Sequence, residues 1–409
     1  MSNININTLS AATSKQLQQL INRNLDDVFP AMALAVIHHG EWAMDAAWGW
    51  IDPQMQQFPV TSDTLFDLAS VTKLFTTMTF LSLVSAGKID LNDPVVKIIP
   101  EFGQSGPRSM DGGQDPHTKA MLPTPASVLG QTVDPTKVTF RQLLTHTSGL
   151  SAWRHVYQDA GPAPTPPNIP DPLSRDERWS RALAAICNHP FVGQPGDLIC
   201  YSDLGLMLLG GSISRLHGTL GKLDIAVQER LLNPLELQSL TYNPIQNGHD
   251  HNTIAPTEYD AGWRKRRCWG EVHDENSCGV GGVAGHAGLF GTAVDVARFG
   301  QACLESDTRL GIAPQLMTES KQEHVETGGM RRGLGWLLKA HKGSPAGDLF
   351  SPDSYGHTGF TGTSLWIDPQ RELIVACFTN RVYPGRDKPG IVAFRRAVHD
   401  IIVEGLYEL

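Results

Sequence analysis

The chain is 409 residues long, 41% hydrophobic and 18% charged, with a formal net charge of −9. A chain of this length can bury a substantial core and suggests two or three domains. Its composition excludes a disordered protein, and the acidic balance argues against a general nucleic-acid binder. The one basic run, "RKRR" at Arg264 to Arg267, is expected to be a solvated loop. No window reaches the ~18 apolar residues of a membrane-spanning helix. The first residues show neither the basic start nor the apolar run of a signal peptide. As written the chain reads as cytoplasmic, or as periplasmic or extracellular if a leader preceded it. Six cysteines are scattered without a CxxC, which suits reduced thiols rather than a disulfide framework.

In chain order, Leu17, Leu20, Ile21, Leu25 and Val28 recur at helical spacing and predict an amphipathic N-terminal helix. "AMALAVIHHGEWAMDAAWGWID" reads as two strands turning at His39-Gly40. "LFTTMTFLSLV" continues a helix that begins near Ser70, and Gly87 supplies its C-terminal stop. The middle of the chain alternates helical signals ("TFRQLLTH", "RWSRALAAICNH", "SDLGLMLLGGSISRLH") with long Pro/Gly loops, the kind of loop that forms functional rims. "GLGWLLK" reads as a strand, and "GTSLWIDPQRELIVACFTN" as a hairpin turning at Asp368 to Arg371. A closing helix follows over about 391–407, with Phe394, Val398, Ile401 and Ile402 on one face. The expected fold is α/β (α+β): an antiparallel sheet from both chain ends, flanked by terminal helices and interrupted by a mostly helical insert. The boundaries fall at residues 1–95 plus 290–409 for the α/β domain and 96–289 for the insert.

Chemistry concentrates in "DLASVTKLFTT". Positions three apart share a helix face, so Lys73 lies over Ser70. A lysine aimed at a core is costly without a partner or a task. A serine at a helix start with a lysine one turn on provides nucleophile and base, and the helix N-terminus favours the negative charge that develops. A bare SxxK is cheap: "SAGK" at Ser85 to Lys88 straddles a helix end and is discounted. No GxSxG elbow and no HExxH occur. Cys268, His273 and Cys278 lack a fourth ligand at zinc spacing, "HDH" at His249 to His251 reads as surface, and "GVGGVAG" lacks a surrounding βαβ unit.

"LFDLASVTKLFTT" resembles the active-site segment of the serine β-lactamase and penicillin-binding-protein superfamily, in its class C-like branch. "YSD" at Tyr201 to Asp203 is similar to that family's Tyr-x-Asn, with aspartate for asparagine. "HTG" at His357 to Gly359 is similar to its Lys-Thr-Gly, with histidine for lysine. "RQLLTHTSGL" also looks like a segment of this branch, and "GEVHDENSCGVGGVAGHAGLFGTA" resembles a stretch of penicillin-binding protein 4B-like proteins and of relatives fused to glycosidases. The resemblance implies a Ser70 nucleophile with Lys73 and Tyr201 sharing the proton traffic. It implies an oxyanion hole from the N–H groups of Ser70 and Phe360, and His357, Thr358 and Gly359 with Asp203 on the substrate. No cofactor and no metal are implied. The partner is a small molecule: a D-Ala-D-Ala peptide, a β-lactam or a small ester.

Asp203 departs from that pattern in a way that matters. An ionised aspartate cannot donate to an acyl-amide carbonyl, and it would hold Lys73 protonated. Either Asp203 is neutral or Tyr201 carries more of the base work. The expected function is a serine acyl-enzyme hydrolase: first a D-alanyl-D-alanine carboxypeptidase, then a small-ester carboxylesterase, then a β-lactamase. A non-enzymatic scaffold is the competing class, opposed by the retained Ser70, Lys73 and Tyr201.

Overall fold

The computed structural model describes residues 5–6, 9–218 and 222–407. Its centre is a nine-stranded antiparallel sheet that interleaves the two chain ends. From one edge the strands are Asn5–Ile6, Glu41–Gly49, Ala31–His38, Leu373–Thr379, Ser364–Asp368, Tyr355–Thr358, Leu337–Leu338, Met330–Arg332 and Val325–Thr327. The two halves join where Ala31–His38 pairs with Leu373–Thr379 over seven residues, from Leu373↔His38 to Thr379↔Met32.

These strands read as continuous apolar runs because both faces are covered. Met32, Leu34 and Val36 point to the side of the terminal helices, Ala11–Asn24 and Ile391–Tyr407, and share a cluster with Leu17, Ile21, Val398 and Ile402. Ala31, Ala33, Ala35 and Ile37 point the other way, into the cluster that contains Val296 and Phe299 of the Ala293–Glu305 helix. That cluster runs on without a break through Leu74, Phe75 and Met78 of the Thr72–Ser85 helix to Leu206, Leu208 and Leu209 of the Asp203–Leu216 helix. The helix expected to carry the nucleophile is therefore packed between the sheet side of this cluster and the Asp203–Leu216 helix, and all but two of its residues are buried.

Several local readings hold. The first hairpin turns at His39 (φ +50°) and Gly40 (φ +77°), the left-handed pair of a two-residue hairpin. Gly87 (φ +68°) ends the Thr72–Ser85 helix, its N–H donating to Val84 O at 2.9 Å while that of Lys88 reaches Leu83 O at 3.0 Å, a Schellman stop. Others need correction. The N-terminal helix stops at Asn24: Leu25 adopts an extended cap and Val28, although buried, lies beyond it. "GLGWLLK" is a strand only at Leu337–Leu338, because Gly333 and Gly335 (φ +74°) turn the chain back from Met330–Arg332. The "RKRR" run is not a solvated loop. Arg266–Arg267 pairs with Tyr259–Asp260 as a short ribbon. Arg264 is buried, bonded to Asp260 at 2.8 Å and to the carbonyls of Val272 and His273 at 2.6 Å each. Arginine's rigid fork suits it to holding several acceptors at once, and here it fixes the loop that enters the cleft.

The closing helix also buries a titrating group. His399 is fully enclosed, its Nδ1 3.0 Å from Pro345 O. Burial, joined by the Arg395 guanidinium and opposed by that carbonyl, pushes its pKa down to about 4 from 6.5. A base depressed on folding is protonated preferentially in the unfolded chain, so its contribution is complete above pH 6.5 and lost as pH falls toward 4. Across that window it should account for about 3 kcal/mol of acid destabilisation. His399→Asn, which keeps a donor toward Pro345, should flatten the fall in denaturation midpoint between those pH values. Equal slopes for the two proteins would rule this out.

Candidate active site

The turn that presents Ser70 is built from both sides. Phe66–Asp67 pairs with Leu289–Gly291, and the Asp67 carboxylate accepts from Ala69 N at 2.8 Å and from His273 N at 2.6 Å. Ala69 sits at φ +45°, a strained value for a residue with a Cβ, and the Asp67 bond holds it there. Ser70 follows in the 3₁₀ turn Ala69–Val71, one turn ahead of the Thr72–Ser85 helix. Its hydroxyl does not cap the helix; it accepts from Lys73 Nζ at 2.9 Å.

Lys73 is 1% exposed. Besides Ser70, its ammonium donates to His286 O at 3.0 Å and pairs with Asp203 Oδ1 at 2.8 Å. It lies 4.9 Å from the centroid of the Tyr201 ring. Burial by itself lowers the pKa of Lys73, but Asp203 and then Tyr201 outweigh it and the net direction is upward. In the resting site Lys73 is an ammonium ion with Asp203 as its counter-charge.

Tyr201 and Asp203 are placed by the start of the Asp203–Leu216 helix. Ser202 is its N-cap, accepting from Gly205 N at 3.2 Å and donating to Ser151 O at 2.7 Å. The Ser202 N–H donates to His146 Nδ1 at 3.0 Å, so that nitrogen carries a lone pair. His146 belongs to "LTHTSGL", and its role is to seat the Tyr201 turn.

The Tyr355–Thr358 strand forms the opposite wall. Thr361 and Thr363 donate to the carbonyls of Asp67 and Leu68 at 2.7 and 2.9 Å, tying the loop after this strand to the Ser70 turn. A Cβ on Gly359 would lie 2.6 Å from Leu68 O, so only glycine allows that approach. Arg381 holds Phe360 O at 2.8 Å, and Arg395 holds Gly359 O at 3.0 Å and Thr363 O at 2.7 Å. The N–H groups of Ser70 and Phe360 have no protein acceptor among the described residues.

Ser70, Tyr201, Asp203, His357, Thr358, Gly359 and Phe360 all line one cleft of about 680 Å³, with Lys73 beneath its floor. The structure thus places around one cleft the residues that the family resemblance assigned to the site. His357 does not offer a cation. Its Nδ1 lies 2.9 Å from Thr358 O and takes the proton, leaving a buried Nε2 without a partner among the described residues. Burial first, then the Arg332 and Lys73 charges, hold it well below the usual histidine range. It faces the cleft as a hydrogen-bond acceptor.

Sequence reasoning missed three contributors: Asp274, His286 and Arg332, all lining the cleft. Asp274 accepts from His286 Nε2 at 2.7 Å and caps the Glu275–Gly279 helix. Burial opposes its charge, but His286, Ser277 N–H and Lys73 prevail and hold the carboxyl well below its usual range. Asp203, Asp274 and His286 place ligand atoms within 4.8 Å of one another, a donor set able to hold a cation. The Lys73 ammonium already meets that charge from 2.8 Å. The cysteine–histidine reading does not hold together: His273 Nε2 pairs with Glu258 at 2.7 Å, and burial pushes the Cys278 thiol up to about 11, which disfavours the thiolate that binds metal.

Ser70 over Lys73, where an antiparallel sheet meets a helical region, is the arrangement expected of a serine acyl hydrolase. Residues 17–399 match the Beta-lactamase family, and the chain belongs to it. It is 30% identical over 398 residues to a protein of Escherichia coli (strain K12) named "Putative D-alanyl-D-alanine carboxypeptidase", spanning 90% of this chain and 82% of that one. It is also 30% identical to an N-acetylmuramyl-L-alanine amidase of Bacillus subtilis (strain 168), over 92% and 83% of the two chains. Among solved structures, EstCE1, a hydrolase with promiscuous acyltransferase activity, superposes with a TM-score of 0.69 at 18% identity, covering 96% of this chain and 98% of that one. The protein is a hydrolase of this superfamily. No helix among the described residues is long and apolar enough to cross a membrane.

The Lys73–Asp203 pair makes a direct prediction. Removing one partner of a buried pair leaves an uncompensated charge, at a cost of roughly 3–5 kcal/mol. Asp203→Asn should lose stability on that scale at pH 7. Lys73→Met should lose less, and Lys73→Met with Asp203→Asn should be well short of additive in a denaturant double-mutant cycle. Additive losses would show that the two groups are not coupled in the native state.

Proposed function

We propose that the protein hydrolyses an amide bond next to alanine in a cell-wall peptide, through a Ser70 acyl-enzyme. The observation that carries this is the Ser70 Oγ–Lys73 Nζ contact of 2.9 Å at the base of a cleft walled by Tyr201 and the His357–Phe360 segment. The names of the Escherichia coli and Bacillus subtilis relatives support the substrate class.

In this reading Ser70 Oγ attacks the acyl carbonyl and the N–H groups of Ser70 and Phe360 receive the oxyanion. Because Asp203 keeps Lys73 protonated, Tyr201 carries the larger share of the proton transfer, first from Ser70 and then to the leaving nitrogen. Lys73 supplies fixed positive charge beside both oxygens. Water attacks the resulting ester and frees Ser70. The insert, residues 96–289, contributes Tyr201, Asp203, Asp274 and His286 to this site as one wall of the cleft.

A fluorophosphonate should label the wild type at the peptide containing Ser70 and should leave Ser70→Ala unlabelled. Equal labelling of both would remove Ser70 from the mechanism.

A second reading, a small-ester hydrolase, is favoured by one feature: Asp203 cannot donate to an amide carbonyl while it is the counter-ion of Lys73. Asp203→Asn restores a donor worth roughly 0.5–1.5 kcal/mol, up to about tenfold. The ratio of kcat/KM for an acyl-D-Ala-D-Ala peptide to that for a nitrophenyl ester should rise by that factor if the amide carbonyl faces residue 203. A flat ratio would place Asp203 away from the acyl group.

A further inference from the structure

The glycine-rich stretch "GEVHDENSCGVGGVAGHAGLFGTA" has no part yet in the chemistry, although it supplies two of the residues that line the cleft, Asp274 and His286. His286 is buried and holds two groups at once. Its main-chain O accepts from Lys73 Nζ at 3.0 Å, and its Nε2 lies 2.7 Å from Asp274 Oδ1. Asp274 is held in its ionised form, and a carboxylate only accepts, so Nε2 is the donor. Asp274 is fixed in turn: Oδ1 also accepts from Ser277 N at 2.7 Å, and its main-chain O accepts from Cys278 N at 2.9 Å. The peptides next to His286 are pinned as well. Ser277 Oγ donates to Ala287 O at 2.9 Å, and Leu289 N donates to Thr72 Oγ1, beside Lys73, at 3.2 Å. A Cβ on Gly285 would overlap Leu206 O, so glycine lets the chain press against the helix that carries Asp203, one residue before the carbonyl that holds Lys73.

An ammonium has three donors, and Lys73 commits them to Ser70 Oγ, Asp203 Oδ1 and His286 O. Two of those oxygens do not stay constant through an acyl transfer. Ser70 Oγ becomes an ester oxygen, and the Asp203 side chain is 16% exposed in the wall that substrate passes. His286 O belongs to a backbone that does not react, and the ring gripped by Asp274 sets its direction. Placement matters to the chemistry, because a shift of about 1 Å in a charge at the reacting centre can cost about 100-fold in rate. We propose that Asp274 is a positioning residue for Lys73, acting through the His286 imidazole, and that holding this carbonyl in place is the task of the glycine-rich stretch. This rests on the Ser70 acyl-transfer reading.

Hydrolysis of a nitrophenyl acetate tests it. Asp274→Ala should lower kcat by about tenfold or more, the scale of a charged hydrogen bond. KM should move much less, since the loss is felt in the transition state. Asp274→Asn keeps an oxygen for the Nε2 proton, and His286→Gln keeps a donor for the carboxylate. Each should recover the larger part of what the alanine variants lose. A tenfold fall in either overturns the proposal, whether or not the alanine variants fold; for Asp274→Asn it would make the carboxylate charge itself the function. His286→Ala should cost as much as Asp274→Ala, and the two together little more than either. Multiplicative losses would show that Asp274 does not act through His286. Equilibrium denaturation reads the linkage without turnover: Asp274→Ala with Lys73→Met should lose less stability than the sum of the two, and additive losses would again overturn the proposal. A wild type that neither turns over the ester nor takes up a fluorophosphonate, with that coupling present, would remove the acyl-enzyme reading and leave the positioning of Lys73 standing.

Discussion

A buried ammonium ion organises this molecule. Lys73 lies on a helix packed inside the main core, 1% exposed, and a lone charge there would be untenable. Three oxygens from three separate segments answer it: Ser70 Oγ, Asp203 Oδ1 and His286 O. The segments are 130 and 83 residues apart along the chain, counting Lys73 to Asp203 and Asp203 to His286. The need to satisfy one cation therefore links the Ser70 turn, the Asp203–Leu216 helix and the glycine-rich stretch, and it places a serine hydroxyl, a carboxylate and a tyrosine around one point.

The same pair sets the chemical character of the site. A lysine partnered by a carboxylate acts as fixed charge more readily than as a base. The neutral His357 reinforces the division of labour. With its proton committed to Thr358 O, it faces the cleft as a hydrogen-bond acceptor.

The walls of the cleft are held by buried arginines used as struts. Arg264 fixes the carbonyls before Asp274, and Arg381 and Arg395 fix those around Phe360; away from the cleft, Arg178 binds Pro162 O and Asp171 within the proline-rich segment and ties it to Gly279 O. Long Pro/Gly segments cannot satisfy their own carbonyls by regular pairing, and multi-donor side chains supply what the missing ladders do not. This is why a run that looks like surface charge, "RKRR", turned inward.

What the sequence alone determined is what short-range geometry decides. The helical spacing of Ser70 and Lys73, the His39-Gly40 turn, the Gly87 stop and the apolar runs of the hairpin strands follow from φ/ψ preferences, from the helical period and from local hydrophobicity. Motif order then made the family and the residues from Ser70 to Phe360 legible. Only the tertiary structure decided the ionisation of the site and the cations that matter. Asp203 is the partner of Lys73 because two helices meet, His357 is neutral because the strand is buried beside Arg332, and Arg332 faces the cleft because of register across three strands. Desolvation and Coulomb interaction depend on distance in space, and residues far apart in the chain carry no local trace of it.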